Sequence, residues 1–112
     1  MDVERLAAEG KFVEVVKYFS NRSLENAAVG EFLALLVSLY HLDAVEDAKK
    51  ILEMALTNYP DNIELILNAA EIYYHTSDFK RAFDFAKEAI LRGVQDPYIY
   101  DIIGTYYAFI GE

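Results

Sequence analysis

The chain of 112 residues contains no cysteine and no tryptophan, and only two of its residues are proline. The lack of cysteine excludes disulfide bonds and zinc sites built on thiolates. Ten Lys and Arg residues are scattered along the chain against 19 Asp and Glu residues, which gives a net charge of −9. Because nucleic acids and anionic membranes need clustered cations, we predict neither as a partner.

Long apolar runs are missing as well. No apolar stretch approaches the roughly 18 residues of a membrane-spanning helix. The opening residues, MDVERLAAEG, carry charges where a signal peptide needs an apolar segment. We therefore predict a cytoplasmic protein, although a fragment whose targeting segment had been removed would show the same pattern.

The residues that are present have the composition of one folded domain. Hydrophobic residues make up 54% of the chain, above the usual share of about 45 to 50%. The strongest pattern is a period of 34 residues, at which both large apolar and small residues coincide. The coinciding sets include Phe32, Ile66 and Tyr100; Leu35, Ala69 and Ile103; Leu39, Tyr73 and Tyr107; Ala48 and Ala82; Ala55 and Ala89; and His41 and His75.

Within each period the apolar residues recur at spacings of three and four, which is typical of one face of a helix. Breaks between these stretches carry helix-capping residues, most clearly Asp96-Pro97 at a start and Gly93 at an end. The pattern predicts an all-α chain without strands. The predicted helices are Val3–Glu9, Phe12–Phe19, Glu25–Tyr40, Val45–Asn58, Asn62–His75, Phe79–Leu91 and Pro97–Phe109.

These residues resemble the tetratricopeptide repeat family, whose two-helix unit has 34 residues. The stretches that carry the resemblance are Tyr100-x-x-Ile103-Gly104-x-x-Tyr107, Ala48-x-x-x-Leu52-x-x-Ala55 before Pro60, and Ala82-x-x-x-Ala86-x-x-Ala89. The chain departs from the family pattern where Leu36 and Ala70 replace its Gly and Val94 replaces its Pro.

The resemblance implies a right-handed α-α superhelix, a solenoid of helical hairpins. We expect a single domain over residues 1–112. It would comprise a degenerate capping hairpin (1–22), two repeats (29–62 and 63–96) and the first helix of an incomplete repeat (97–112).

The last predicted helix is apolar over an arc of about 200°, which is wider than a surface helix needs. We expect Tyr100, Ile103 and Tyr107 to pack on the preceding hairpin. The rest of the arc would then be an exposed self-association surface. Further repeats in a longer chain, a second copy and another protein all remain possible covers for it. The residues predicted for this surface are Ile99, Ile102, Tyr106 and Ile110.

By the same resemblance, the polar stripe of the helix Asn62–His75 faces a concave groove that binds partner segments. Its acidic residues argue against an acidic peptide and favour a protein or peptide with apolar anchors and some positive charge, with Glu71 and Asp101 as acceptors of salt bridges. An ordinary solvated helix face explains the stripe equally well. The predicted groove residues are Tyr40, His41, Glu64, Asn68, Glu71, Tyr74, His75, Tyr98, Asp101, Thr105 and Phe109.

The sequence therefore predicts a protein-interaction module. Two alternatives are a structural element that self-assembles and an assembly chaperone of the secretion type. No catalytic residue, metal ligand or cofactor is predicted. His41 and His75 are explained by the repeat alone, and no phosphate loop or paired nucleophile and base occurs at a defined spacing.

Overall fold

The computed structural model describes residues 2–111, and within that range it contains seven α-helices and no strand. The all-α prediction is confirmed. The helices are α1 (Val3–Ala8), α2 (Phe12–Phe19), α3 (Val29–His41), α4 (Val45–Asn58), α5 (Ile63–His75), α6 (Phe79–Leu91) and α7 (Pro97–Phe109).

Six helices agree with the predicted bounds to within one residue, but α3 begins at Val29 rather than at Glu25. The segment before it forms a turn instead, in which the N–H of Ala27 donates to the carbonyl of Leu24. The side chain of Glu31 accepts from the N–H of Ala28 at 2.9 Å, which satisfies a donor at the start of the helix. The predicted early start of α3 is therefore wrong.

The chain divides into two compact units, one up to Tyr59 and one from Pro60 onward. In the first unit α3 packs against α1, α2 and α4. The small residues Ala48 and Ala55 of α4 are fully buried, which is how alanine lets two helices approach closely. Tyr59, just after α4, donates its hydroxyl to the carbonyl of Ala27 at 2.8 Å and contacts the ring of Phe32 edge-on.

In the second unit α6 packs against both α5 and α7. Its alanines Ala82, Ala86 and Ala89 have no exposed surface. The ring of Tyr73 in α5 stacks on that of Phe85 in α6 at 5.8 Å. The hairpin of α5 and α6 is therefore held by small residues at the closest approach and by aromatic contact beside it.

The predicted signals after α6 and at the start of α7 are confirmed, and α6 begins with a cap of the same kind as α7. Asp78 and Asp96 accept from the backbone N–H groups of Arg81 and Tyr98, and Pro97 occupies the first turn of α7. Gly93 has a φ of 91°, the left-handed conformation expected after α6. These caps fix where α7 begins and hence where its side chains project.

One turn geometry recurs along the chain. Asp43, Ser77 and Gly111 follow α3, α5 and α7 at intervals of 34 residues, and all have positive φ, at 63°, 62° and 81°. Gly10 has the same feature after α1, with a φ of 77°. After α1, α3 and α5, the residue that follows the positive-φ residue donates its N–H to the carbonyl five residues earlier. An example is the hydrogen bond from Asp78 to the carbonyl of Tyr73. This is the hydrogen-bond pattern of a Schellman turn.

The orientation of α7 differs from the prediction. Ile99 and Ile102 are only 2% and 1% exposed, whereas Tyr100 and Tyr107, expected to pack on the preceding hairpin, are 52% and 43% exposed. Ile103 is half-buried. Tyr107 keeps part of the predicted contact, because its ring meets that of Phe83 in α6 edge-on at 5.4 Å. The side of α7 that is fully buried is the neighbouring one, which carries Ile99 and Ile102.

The residues predicted for self-association change accordingly. Because Ile99 and Ile102 are buried, their assignment to an exposed surface is wrong. Tyr106 is half-buried and stacks on Phe83 at 4.3 Å, so it is mainly a packing residue. Ile110 is exposed. Self-association of the chain stays a prediction.

Within residues 2–111 no helix is both long enough and apolar enough to cross a lipid bilayer.

Candidate protein-binding patch

Nine of the eleven predicted groove residues lie in the second unit, on α5 and α7. The structure brings five of them into one cluster, which we call the α5–α7 patch: Glu71, Tyr74, His75, Tyr98 and Thr105. The remaining four are Glu64, Asn68, Asp101 and Phe109.

Two residues on different helices form the centre of the α5–α7 patch. The hydroxyl of Tyr98 lies 2.9 Å from Nε2 of His75, and the two rings stack with centroids 6.3 Å apart. The carboxylate of Glu71, one turn before His75, lies 4.0 Å from the same Nε2. The side chains of Glu71 and His75 are close to half exposed, so these groups are accessible to a partner.

Tyr74 joins the patch from the other side. Its hydroxyl lies 3.4 Å from Oγ1 of Thr105, at the outer limit of a hydrogen bond, and its ring meets that of Tyr98 edge-on at 5.9 Å. Tyr74, Tyr98 and Thr105 are half-buried. Their rings and methyl group thus combine an apolar surface with hydroxyl groups that can form hydrogen bonds.

Local sequence signals explain why these side chains meet. Glu71 and His75 are four residues apart, so they share one face of α5. The Asp96 cap and Pro97 start α7 so that Tyr98 falls in its first turn, where it reaches the last turn of α5. Thr105 lies seven residues after Tyr98 and therefore on the same side of α7.

Two further aromatic side chains extend the patch. Phe109, a predicted groove residue, is exposed and contacts Phe79 with ring centroids 5.4 Å apart. Phe79 also contacts Tyr74 at 5.9 Å. Sequence analysis missed Phe79. The available signal was its place two residues after Ser77, which matches the place of Phe12 after Gly10 in the first unit.

The other predicted polar residues lie along the same two helices. Glu64 is exposed, and the amide of Asn68 donates to the backbone carbonyl of Glu64 at 2.8 Å. Asp101 is exposed one turn after Tyr98. Among residues 2–111 no three His, Asp or Glu side chains come close enough together to hold a metal ion.

The neighbouring Lys80 is engaged by its own helix. Its ammonium group donates to Asp84 at 2.9 Å, and this hydrogen bond raises the pKa of Lys80. The carboxylate of Glu71 in the patch and that of Glu64, two turns earlier on α5, are the acidic groups of this helix. Such groups favour a cationic partner.

The two predicted groove residues of the first unit form an aromatic cluster of their own. His41 stacks on Phe12 with centroids 4.6 Å apart and an interplanar angle of 2°. Tyr40 contacts His41 edge-on at 6.3 Å. His41 and His75 hold equivalent positions in the period of 34, and each lies against an aromatic ring.

Models of known protein families give no match to the chain. Searches among curated proteins and among solved structures likewise find no similar protein.

Proposed function

We propose that the chain is a protein-interaction module of the tetratricopeptide type, which binds a partner segment on the α5–α7 patch. The segment would carry apolar anchors and some positive charge. The proposal includes the finer fold prediction, a right-handed solenoid of helical hairpins, and a location in the cytoplasm. It assigns the chain a binding role without catalysis or a cofactor.

The observation that carries the proposal is the contact between Tyr98 and His75 beside Glu71. It places an aromatic surface, a carboxylate and hydrogen-bonding groups next to each other on rigid helices. Tyrosines that are partly buried in this way are common anchors at protein interfaces, because they offer a large contact area at a small cost in conformational entropy. The carboxylates of Glu71 and Glu64 would pair with Lys or Arg of the partner.

A displayed library of random 16-residue peptides tests the proposal across many possible partner segments at once. Selection against the whole chain should enrich Lys and Arg together with Leu, Phe or Trp. A selected peptide, made synthetically, should bind about tenfold more weakly to Tyr98→Ala, which removes an anchor. Glu71→Gln should weaken binding by a few fold and reduce its dependence on salt.

The matched control is Glu53→Gln, which removes one charge from an exposed position of α4 in the first unit. Its affinity for the peptide should equal that of the unmodified chain. Circular dichroism shows whether Tyr98→Ala is folded, and Tyr98→Phe keeps the ring if it is not. Enrichment of acidic peptides, or binding that ignores both Tyr98 and Glu71, would contradict the proposal. Equal capture of any unfolded amphipathic segment would favour the chaperone alternative.

A further inference from the structure

A second surface of α7 is apolar and exposed. We call it the outer face of α7, and it consists of Tyr100, Ile103, Gly104, Tyr107 and Ile110. Tyr100, Tyr107 and Ile110 are each about half exposed. At 100° per residue these five residues fall within about 120° of arc. On the helical circumference they lie next to the buried residues Ile99 and Ile102, with Ile110 about 20° from Ile99. The α5–α7 patch lies on the other side of these buried residues.

The equivalent residues of the two earlier helices are covered. Counting back 34 and 68 residues from Tyr100 gives Ile66 and Phe32, and from Tyr107 gives Tyr73 and Leu39, all of which are buried. The contacts show which element covers them. Phe32 meets Tyr59 at the end of α4, and Tyr73 meets Phe85 of α6. In both units this face of a helix therefore packs against the helix that follows in the chain.

Gly104 supplies an independent observation. It has ordinary helical φ, and a Cβ atom added to it would meet nothing within 4 Å. A glycine in a helix interior costs about 1 kcal/mol relative to alanine, and no contact within residues 2–111 requires it. Gly104 lies at one edge of the apolar arc, about 40° from Tyr100, where the lack of a side chain allows another backbone to approach closely.

The two helices that cover this face elsewhere show what it accepts. Both carry small or aliphatic residues at i, i+4 and i+7, and all of them are fully buried. The chemistry of the occupant is therefore an amphipathic helix with alanine at the first and last of these positions. The sets are Ala48, Leu52 and Ala55 in α4 and Ala82, Ala86 and Ala89 in α6.

We propose that the outer face of α7 is a docking site for such a helix from another protein, antiparallel to α7. A second copy of this chain is a poor source, because its α4 and α6 already bury their alanines within their own units. An apolar groove of about 280 Å³ between α6 and α7 continues the face and exposes Leu91 at its edge. The ammonium group of Lys87, which also lines this groove, would form a salt bridge with an acidic residue of the docked helix.

The probe is a synthetic peptide with the sequence of residues 78–93, stapled between positions 80 and 84. Both positions are exposed in α6, so the staple holds the peptide helical without touching its alanine face. It should bind the unmodified chain saturably. The same peptide with Ala86→Glu should bind at least about tenfold more weakly, because a carboxylate would enter the interface.

Variants of the chain show where on its surface the peptide binds. Tyr107→Asp and Gly104→Glu should each weaken binding at least about tenfold. Gly104→Glu carries little risk to folding because its side chain points into open space. The control Val13→Asp places the same charge on an exposed apolar position of α2 and should leave the affinity unchanged.

A chain with a copy of residues 78–93 in place of Glu112 provides a competition test. Gly111, like Ser77 before α6, has a positive φ (81° and 62°). The copy can therefore fold back onto the outer face and should abolish binding of the free peptide. The proposal is overturned if the stapled peptide does not bind, or if binding survives Gly104→Glu. The proposal is also overturned if the chain sediments as a dimer and Tyr107→Asp dissociates that dimer, because a second copy would then occupy the outer face of α7. Binding of the stapled peptide to the outer face of α7 should not depend on Tyr98, so this test is independent of the test of the α5–α7 patch.

Discussion

Helices α5 and α7 hold equivalent places in the 34-residue period but differ in what covers them. Both pack on α6. Four residues of α5, of which Tyr73 contacts Phe85 of α6, are buried, whereas their counterparts in α7 are exposed or half-buried. Tyr73 and Tyr107 are the same residue type, so their different exposure reflects the helix that follows Tyr73 in the chain. The four pairs are Ile66 and Tyr100, Ala69 and Ile103, Ala70 and Gly104, and Tyr73 and Tyr107.

The largest expected effect comes from truncating the same position in both helices. Ile66 is 2% exposed, so Ile66→Ala removes buried methyl groups and leaves a cavity, at a cost of about 2 to 5 kcal/mol in the free energy of unfolding. Tyr100 is half exposed, and Tyr100→Ala should cost less than about 1 kcal/mol. Urea unfolding of the two variants measures both values. Equal losses would mean that the outer face of α7 is covered in solution.

The comparison also shows what sequence patterns can predict. Asp96-Pro97 fixed the start of α7, because capping chemistry is local and needs no tertiary information. The late start of α3 was missed, because Tyr59, far along the chain, binds the carbonyl of Ala27 just before it. Sequence analysis also named His75 and Tyr98 separately as groove residues, but their contact depends on where two helix ends meet.

The buried side of α7 could not be predicted for a related reason. A 34-residue period identifies equivalent residues but does not say which neighbour each of them meets. The prediction assigned Tyr100 and Tyr107 to the preceding hairpin, and Tyr107 does meet Phe83 of α6 edge-on. Their counterparts Phe32 and Tyr73 instead contact the element that follows, which is the end of α4 and α6 respectively. The direction of packing becomes visible only when contacts are known. The burial of Ile99 and Ile102 follows from this direction of packing.

A smaller effect with opposite signs is expected at the next equivalent pair. Gly104→Ala should stabilise the chain by up to about 1 kcal/mol, because alanine is the better helix former and its Cβ meets open space. Ala70→Gly should destabilise by about 1 kcal/mol or more, because Ala70 is fully buried and the change adds a small void. Thermal or urea unfolding gives the sign directly. A destabilising Gly104→Ala would show that something already approaches the backbone there.

The smallest effect tests the turns that end the helices. Ser77 adopts a φ of 62°, which costs energy for a residue with a side chain, and Ser77→Gly should stabilise the second unit by about 0.5 to 1 kcal/mol. The reverse change at the equivalent turn after α1, Gly10→Ala, should destabilise by about 1 kcal/mol, although a Cβ there meets no other atom. Urea unfolding measures both changes, and a loss at Gly10 would come from backbone strain because an added Cβ has no contact within 4 Å. If Ser77→Gly destabilises instead, the added flexibility of the unfolded chain outweighs the strain. The recurring turn would then owe its geometry to its hydrogen bonds, such as that from Asp78 to Tyr73.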